Sequence, residues 1–160
     1  MELNVQKFLR QGGTVDRLKA ELGINVDRKD DLVLLSYDQI DSPKTDPIVM
    51  ECRGLIIQDG TWDVVSMPFH RFFNHGEALE QTASFPIEGA VAQEKVDGSL
   101  IQQFVWAGNG GYHWRMSTRG KIDGTGNVAL TLDNMTFGDL FRETRDQYGC
   151  FNAGLDAKYS

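Results

Sequence analysis

The sequence predicts one domain, residues 1–160, of mixed, mainly antiparallel α+β type. Apolar residues recur at helical spacing near both ends of the chain, and between them two glycine-bearing turn signals are each flanked by short β-prone runs. No internal repeat, low-complexity tract or linker divides the chain. With 41% hydrophobic and 24% charged residues, 160 residues are enough for a real hydrophobic core.

Leu3, Phe8, Leu9, Val15, Leu18 and Leu22 fall at helical intervals interrupted by Gly12-Gly13, which predicts two short helices. Thr14 is placed to cap the second, and Gly23 to end it. Residues 32–37, Leu-Val-Leu-Leu-Ser-Tyr, read as a buried strand. Residues 41–47 carry two prolines and two aspartates, so a loop without regular structure is expected there. Residues 54–58 and 62–66 flank Asp59-Gly60, a hairpin signal that calls for positive φ. A second hairpin joins residues 100–106 to 112–116 through Ala107-Gly108-Asn109-Gly110-Gly111. Residues 91–94 are expected to form a strand ending at Lys95, with Asp97-Gly98 turning into the next strand. Residues 124–133 and 137–148 show helical periodicity.

No stretch approaches the roughly 18 consecutive apolar residues of a membrane span, and the N-terminus lacks a signal-peptide pattern, so a cytoplasmic protein is expected. Cys52 and Cys150 form no C-x-x-C pair and are expected to be half-buried thiols rather than zinc ligands or a disulfide. A net charge of −7 argues against an extended, nonspecific grip on nucleic acid. An RNA would have to meet a local basic patch, and Arg115, Arg119 and Lys121 are close enough in sequence to form one. Arg142 and Arg145 read as solvated surface charge. His70, His75 and His113 share neither a helix face nor a metal-ligand spacing. The glycines at 108, 110 and 111 lack the form of a phosphate-binding P-loop and suit a hairpin tip.

The chemistry concentrates in Lys95-Val96-Asp97-Gly98-Ser99, where an amine nucleophile stands beside a carboxylate and a glycine that lets phosphate come close. Such a lysine attacks phosphorus only as the free amine, which requires partial burial or neighbouring positive charge. Upstream lie Glu51-Cys52-Arg53-Gly54-Leu55-Ile56-Ile57 and Pro68-Phe69-His70-Arg71-Phe72-Phe73-Asn74; downstream lies Ser117-Thr118-Arg119-Gly120. In order and spacing these four blocks, spanning about Val49 to Gly120, resemble the phage-type ATP-dependent RNA ligase one family of covalent nucleotidyltransferases.

The resemblance implies the antiparallel-sheet, ATP-grasp-like nucleotidyltransferase fold of ligases and capping enzymes, with Lys95 adenylylated by ATP and Mg²⁺ as the metal. It places Arg53, Gly54, Arg71, Phe73, Glu94, Asp97, Gly98 and Arg119 around the nucleotide, with RNA ends as substrate and the metal ligands unassigned. Relatives carry lysine where Arg71 and Arg119 stand here, so charge is kept while hydrogen-bonding geometry changes. Blocks that the family places further along are not seen after Gly120, so the chain is expected to be the N-terminal portion of an adenylyltransferase domain, incomplete at its C-terminus. A second polypeptide or self-association would then complete it, in the host cytoplasm if the chain is phage-encoded. A non-catalytic nucleotide-binding or protein-interaction fragment, and a DNA ligase or GTP-using capping enzyme, are the competing expectations.

Overall fold

Strand β2 (Leu32–Tyr37) is buried at all six positions, and its alternation decides the layering. Val33, Leu35 and Tyr37 pack with Val5, Leu9, Val15 and Leu18 of two N-terminal helices, while Leu32 and Leu34 pack with Phe104, Trp106 and Ile122. A strand covered on both faces loses polar alternation and becomes a continuous apolar run. In this computed structural model, which describes residues 2–74, 77, 88–95, 97–108, 110–128 and 135–148, β2 lies within the four-stranded antiparallel sheet β1-β2-β3-β4. Its companions are β1 (Ile24–Lys29), β3 (Arg53–Gln58) and β4 (Val64–Ser66). One face carries α1 (Asn4–Arg10), α2 (Val15–Leu22) and α3 (Pro47–Glu51); the other carries the antiparallel hairpin of β5 (Ile101–Gly108) and β6 (Gly111–Thr118). Helix α4 (Phe137–Tyr148) follows the hairpin. The architecture is thus mixed α+β with antiparallel sheets, as the residue patterns predict.

The local signals at the N-terminus act as expected. Thr14 Oγ1 accepts the Arg17 N–H at 3.2 Å, and Gly23 closes α2 in the left-handed region with φ of 64°. Both hairpins form, with Asp59-Gly60 between β3 and β4 and the glycine-rich tip between β5 and β6. Asn109 and Val96 lie outside the described residues, as do His75, Cys150 and everything beyond Tyr148.

The expectations are corrected at five places. Strand β1 pairs with β2 from Ile24↔Tyr37 to Lys29↔Leu32 although no strand was expected there. Asp27, Arg28 and Lys29 obscure the β pattern, and charge of this kind is what an edge strand tolerates. The expected loop at 41–47 holds through Asp46, and only its last residue, Pro47, belongs to α3, whose start was not expected: Asp46 Oδ1 accepts from Ile48 N at 2.8 Å and Val49 N at 3.3 Å. Residues 91–94 form no strand and are exposed, Val91 at 83%; a run with a single large apolar side chain has little to bury. Residues 124–128 are not helical, because Gly124 and Gly126 disfavour helix and their carbonyls instead accept from Gly138 N and Phe137 N at 3.0 Å. The remainder of that expected helix, 129–133, lies outside the described residues. Cys52, too, is fully buried rather than half-buried, and burial pushes its thiol pKa up. No described helix is long and apolar enough to cross a membrane.

The N-terminus is tied to the site region by one carboxylate. Glu51, 6% exposed at the end of α3, accepts from Asn4 N at 2.9 Å, Asn4 Nδ2 at 2.8 Å and Val5 N at 2.9 Å. A helix start has unpaired N–H groups and a positive dipole end, and Glu51 meets both needs from 46 residues away along the chain. Glu51→Ala is expected to lower the unfolding free energy by about 2–3 kcal/mol, since buried donors lose their acceptor. Glu51→Gln, which keeps one acceptor oxygen, should cost less, and urea unfolding of the two variants checks the order.

Candidate functional site

The site begins with an irregularity in the sheet. Leu35 pairs with Leu55 and Ser36 with Arg53, so Gly54 is the extra residue of a β-bulge, at φ of +88°. A bulge bends its strand and re-aims the neighbouring side chain, here Arg53. Glycine is required twice over: φ is positive, and a Cβ would stand 3.1 Å from Gln102 Nε2 and 3.2 Å from the Cα and carbonyl oxygen of Arg119. The large sheet and the β5–β6 hairpin therefore meet at Gly54.

Half-buried Arg53 lines two adjoining clefts. The first, about 510 Å³, also has Phe69, Phe72, Glu94, Lys95, Asp97 and Gly98 in its wall. The Arg53 guanidinium carbon stands 4.8 Å from the centre of the Phe72 ring, and Gly98 N–H donates to Asp97 Oδ1 at 3.1 Å. The second, about 400 Å³, is bordered by Arg53, Gly98, Ser99, Thr118, Arg119 and Phe137. Lys95 is exposed to the first cleft from an irregular segment rather than a strand end.

Arg71 and Arg119 are brought together by Tyr37 at the end of β2. Each guanidinium carbon lies 4.2 Å from the Tyr37 ring centre, and Arg119 Nη2 donates to the Tyr37 carbonyl at 2.7 Å. Arg71 is only 9% exposed and packs 5.6 Å from the Phe73 ring centre. The Nη1 atoms of Arg53 and Arg71 are buried and have no hydrogen-bond partner. Buried polar atoms are rarely left unpaired, so two such guanidinium nitrogens mark places suited to an anion.

Six of the residues singled out from sequence, Arg53, Glu94, Lys95, Asp97, Gly98 and Arg119, therefore line these two clefts, while Gly54 lies in neither wall and acts through the bulge beside Arg53. Arg71 and Phe73 are not in their walls: Phe73 packs on Arg71, and the exposed aromatics at the mouth are Phe69 and Phe72, 66% and 56% exposed. Sequence reasoning passed over Phe69 and Tyr37. The Phe-His-Arg-Phe-Phe run signalled the aromatics without saying which would face the cleft, and Tyr37 gave no signal beyond closing a buried strand.

The expected basic patch is corrected. Arg115 pairs with Asp30 at 2.7 Å and Asp123 at 3.4 Å, its guanidinium carbon 4.1 Å from the Trp106 ring centre, and Lys121 pairs with Asp27 at 2.9 Å. Acidic residues of β1 and its turn thus neutralise two of the three charges, and Arg119 alone faces the site. Arg142 and Arg145 pair with Asp139 and Asp146 at the exposed surface, as expected of solvated charge, and His113 contacts the Gly108 carbonyl at 3.0 Å.

The chain is similar to three RNA ligases. It is 35% identical over 130 residues, 74% of this chain, to a provisionally named bifunctional polynucleotide kinase/RNA ligase of Autographa californica nuclear polyhedrosis virus. It is 33% identical over 112 residues, 68% of this chain, to a provisionally named RNA ligase of Thermovibrio ammonificans. It is 29% identical over 158 residues, 81% of this chain, to the RNA ligase of Rhodothermus phage RM378. The matches cover 18%, 27% and 34% of those relatives' own lengths. No family model matches the chain, and no solved structure matches it significantly.

The bulge can be tested by comparing two glycines. Gly54→Ala and Gly60→Ala both place alanine at similar positive φ, +88° and +84°, but only at Gly54 does the new Cβ meet other atoms. Strain of this kind costs about 1–3 kcal/mol. Thermal unfolding is expected to show the larger loss for Gly54→Ala, the difference reporting contact with Gln102 and Arg119.

Proposed function

We propose that the chain is the front part of the adenylyltransferase domain of an ATP-dependent RNA ligase, with Lys95 as the nucleophile. The observation that carries this reading is the cleft in which Lys95 of a Lys-x-Asp-Gly motif shares a wall with Arg53, whose buried Nη1 lacks a partner. Similarity to the three ligases supports RNA as the substrate class.

In the proposed step the free amine of Lys95 attacks the α-phosphorus of ATP. A nitrogen–phosphorus bond forms, the bond to the bridging oxygen breaks, pyrophosphate leaves with that electron pair, and the lysine nitrogen loses its proton to solvent. Arg53 gives donors to the phosphate oxygens, which guanidinium geometry suits, and Arg119 extends positive charge into the adjoining cleft. Phe69 and Phe72 offer ring faces to the nucleobase. Gly98, with open space where a Cβ would stand and φ of +142°, lets the phosphates approach the backbone. The adenylate would then pass to the 5′-phosphate of an RNA end before a 3′-hydroxyl displaces AMP.

Among the described residues no three His, Cys, Asp or Glu side chains form a metal cage. Mg²⁺ fits the site differently: carried with the triphosphate it needs one or two carboxylates, and Glu94 and Asp97 border the Lys95 cleft. There it would neutralise phosphate charge. Because the chain spans 18–34% of its relatives' lengths, ATP, Mg²⁺, RNA ends and a second polypeptide or second copy completing the domain all belong to this proposal.

Incubation with α-labelled ATP or GTP and Mg²⁺, followed by intact mass and peptide mapping, is expected to place adenylate on Lys95, slowly in the chain by itself and faster once the downstream half is supplied in trans. Lys95→Ala should lose the label entirely with its circular dichroism unchanged, and Arg53→Ala should slow labelling by about 10²–10³-fold. Guanylate addition would point to a capping enzyme, label on Lys121 would overturn the assignment, and no addition with either nucleotide would favour a non-catalytic fragment.

A further inference from the structure

Gln102 stands at position two of β5, three residues after the Lys95 motif ends, and is 8% exposed. Its Nε2 donates to the Gly54 carbonyl at 2.8 Å, and its Oε1 accepts from Ser66 Oγ at 2.9 Å. One amide therefore joins β5 to both β3 and β4. The two contacts use its donor and acceptor ends separately, which an isosteric apolar side chain or a carboxylate could not reproduce.

The position of this bond matters more than its strength. Gly54 is the bulge residue that aims Arg53, and Gln102 lies on the strand that enters directly from Gly98-Ser99-Leu100. Lys95 comes from an irregular segment with no strand of its own to hold it. The approach of Lys95 toward Arg53 is therefore set by how β5 docks at the bulge, and Gln102 makes the side-chain hydrogen bonds at that docking point.

We infer that Gln102 is a positioning residue, whose amide clamps the Gly54 bulge to β5 and so holds Arg53 and the Lys95 segment in register across their shared cleft. This rests on the reading of Lys95 as the adenylylated nucleophile. A registering residue acts on the transfer step more than on nucleotide affinity, since small misplacement of reacting groups lowers rate steeply. Ser66 acts through Gln102 by fixing which end of the amide faces Gly54.

The test compares wild type, Gln102→Met, Ser66→Ala and the double variant. Two readouts are used: the rate of Lys95 adenylylation as a function of ATP concentration, and the rate at which phenylglyoxal modifies Arg53, followed by peptide mass spectrometry without nucleotide. Gln102→Met is expected to lower the rate at saturating ATP by about 10²-fold with half-saturation changed much less. Ser66→Ala should lower it less, and should add nothing in the Gln102→Met background. Arg53 modification should quicken in Gln102→Met.

An unchanged saturating rate, a loss confined to half-saturation, or additive effects of the two substitutions would overturn the inference. If wild type acquires no adenylate, the ligase reading fails by itself, and the phenylglyoxal comparison still decides the clamp: faster Arg53 modification supports it and an unchanged rate overturns it. Circular dichroism of each variant separates loss of register from loss of fold; should Gln102→Met unfold, Ser66→Ala carries both readouts.

Discussion

Everything in this fold depends on β2 being buried on both faces. A six-residue run with no exposed position cannot sit on a sheet open to water on one side, so the chain must supply two covering layers. The helices before β2 supply one and the β5–β6 hairpin after it supplies the other. Because the hairpin is needed to cover Leu32, Leu34 and Ile56, the segment that leads into it, with Lys95, is carried to the edge of the same sheet that presents Arg53. Core packing and site assembly are the same event.

The seam between the two sheets is held by polar contacts at both ends. At one end Trp106 Nε1 donates to Asp31 Oδ1 at 2.7 Å, beside the ion pairs of Arg115. At the other stand Gln102 on Gly54 and Arg119 on the Tyr37 carbonyl. The two ends differ in charge economy. Around Arg115 and Lys121, carboxylates match each cation and leave no charge for a ligand. Around Arg53 and Arg71, guanidinium nitrogens are buried without a partner. An acidic protein can in this way keep unpartnered guanidinium nitrogens at and behind a cleft, because net charge says little about where the unmatched cations lie.

The aromatic rings near the site serve the arginines. Tyr37 stacks with Arg71 and Arg119, Phe72 with Arg53, and Phe73 with Arg71. A guanidinium over a ring is weakly hydrated and directionally held, so it keeps its donors available while its position is fixed. Arginine at 71 and 119, where lysine was the expectation from resemblance, suits this stacking.

The amino-acid sequence alone determined the elements whose causes are local: the Thr14 cap and Gly23 stop, the apolar run of β2, the two glycine hairpins, α4 and the Lys95 motif. The tertiary structure decided what depends on partners distant in sequence. Asp27 and Asp30 silence two expected basic residues only because β1 lies against the hairpin, and β1 itself is a strand only because β2 supplies its hydrogen bonds. Glu51 reads as one acidic residue of a motif until α1 is seen to start at its carboxylate. Phe72 rather than Phe73 reaches the cleft wall, a choice that adjacent identical residues cannot reveal in sequence. Periodicity and turn chemistry act within a few residues and are legible there, whereas the contacts that join the layers span 27 to 95 residues and exist only once the layers have closed.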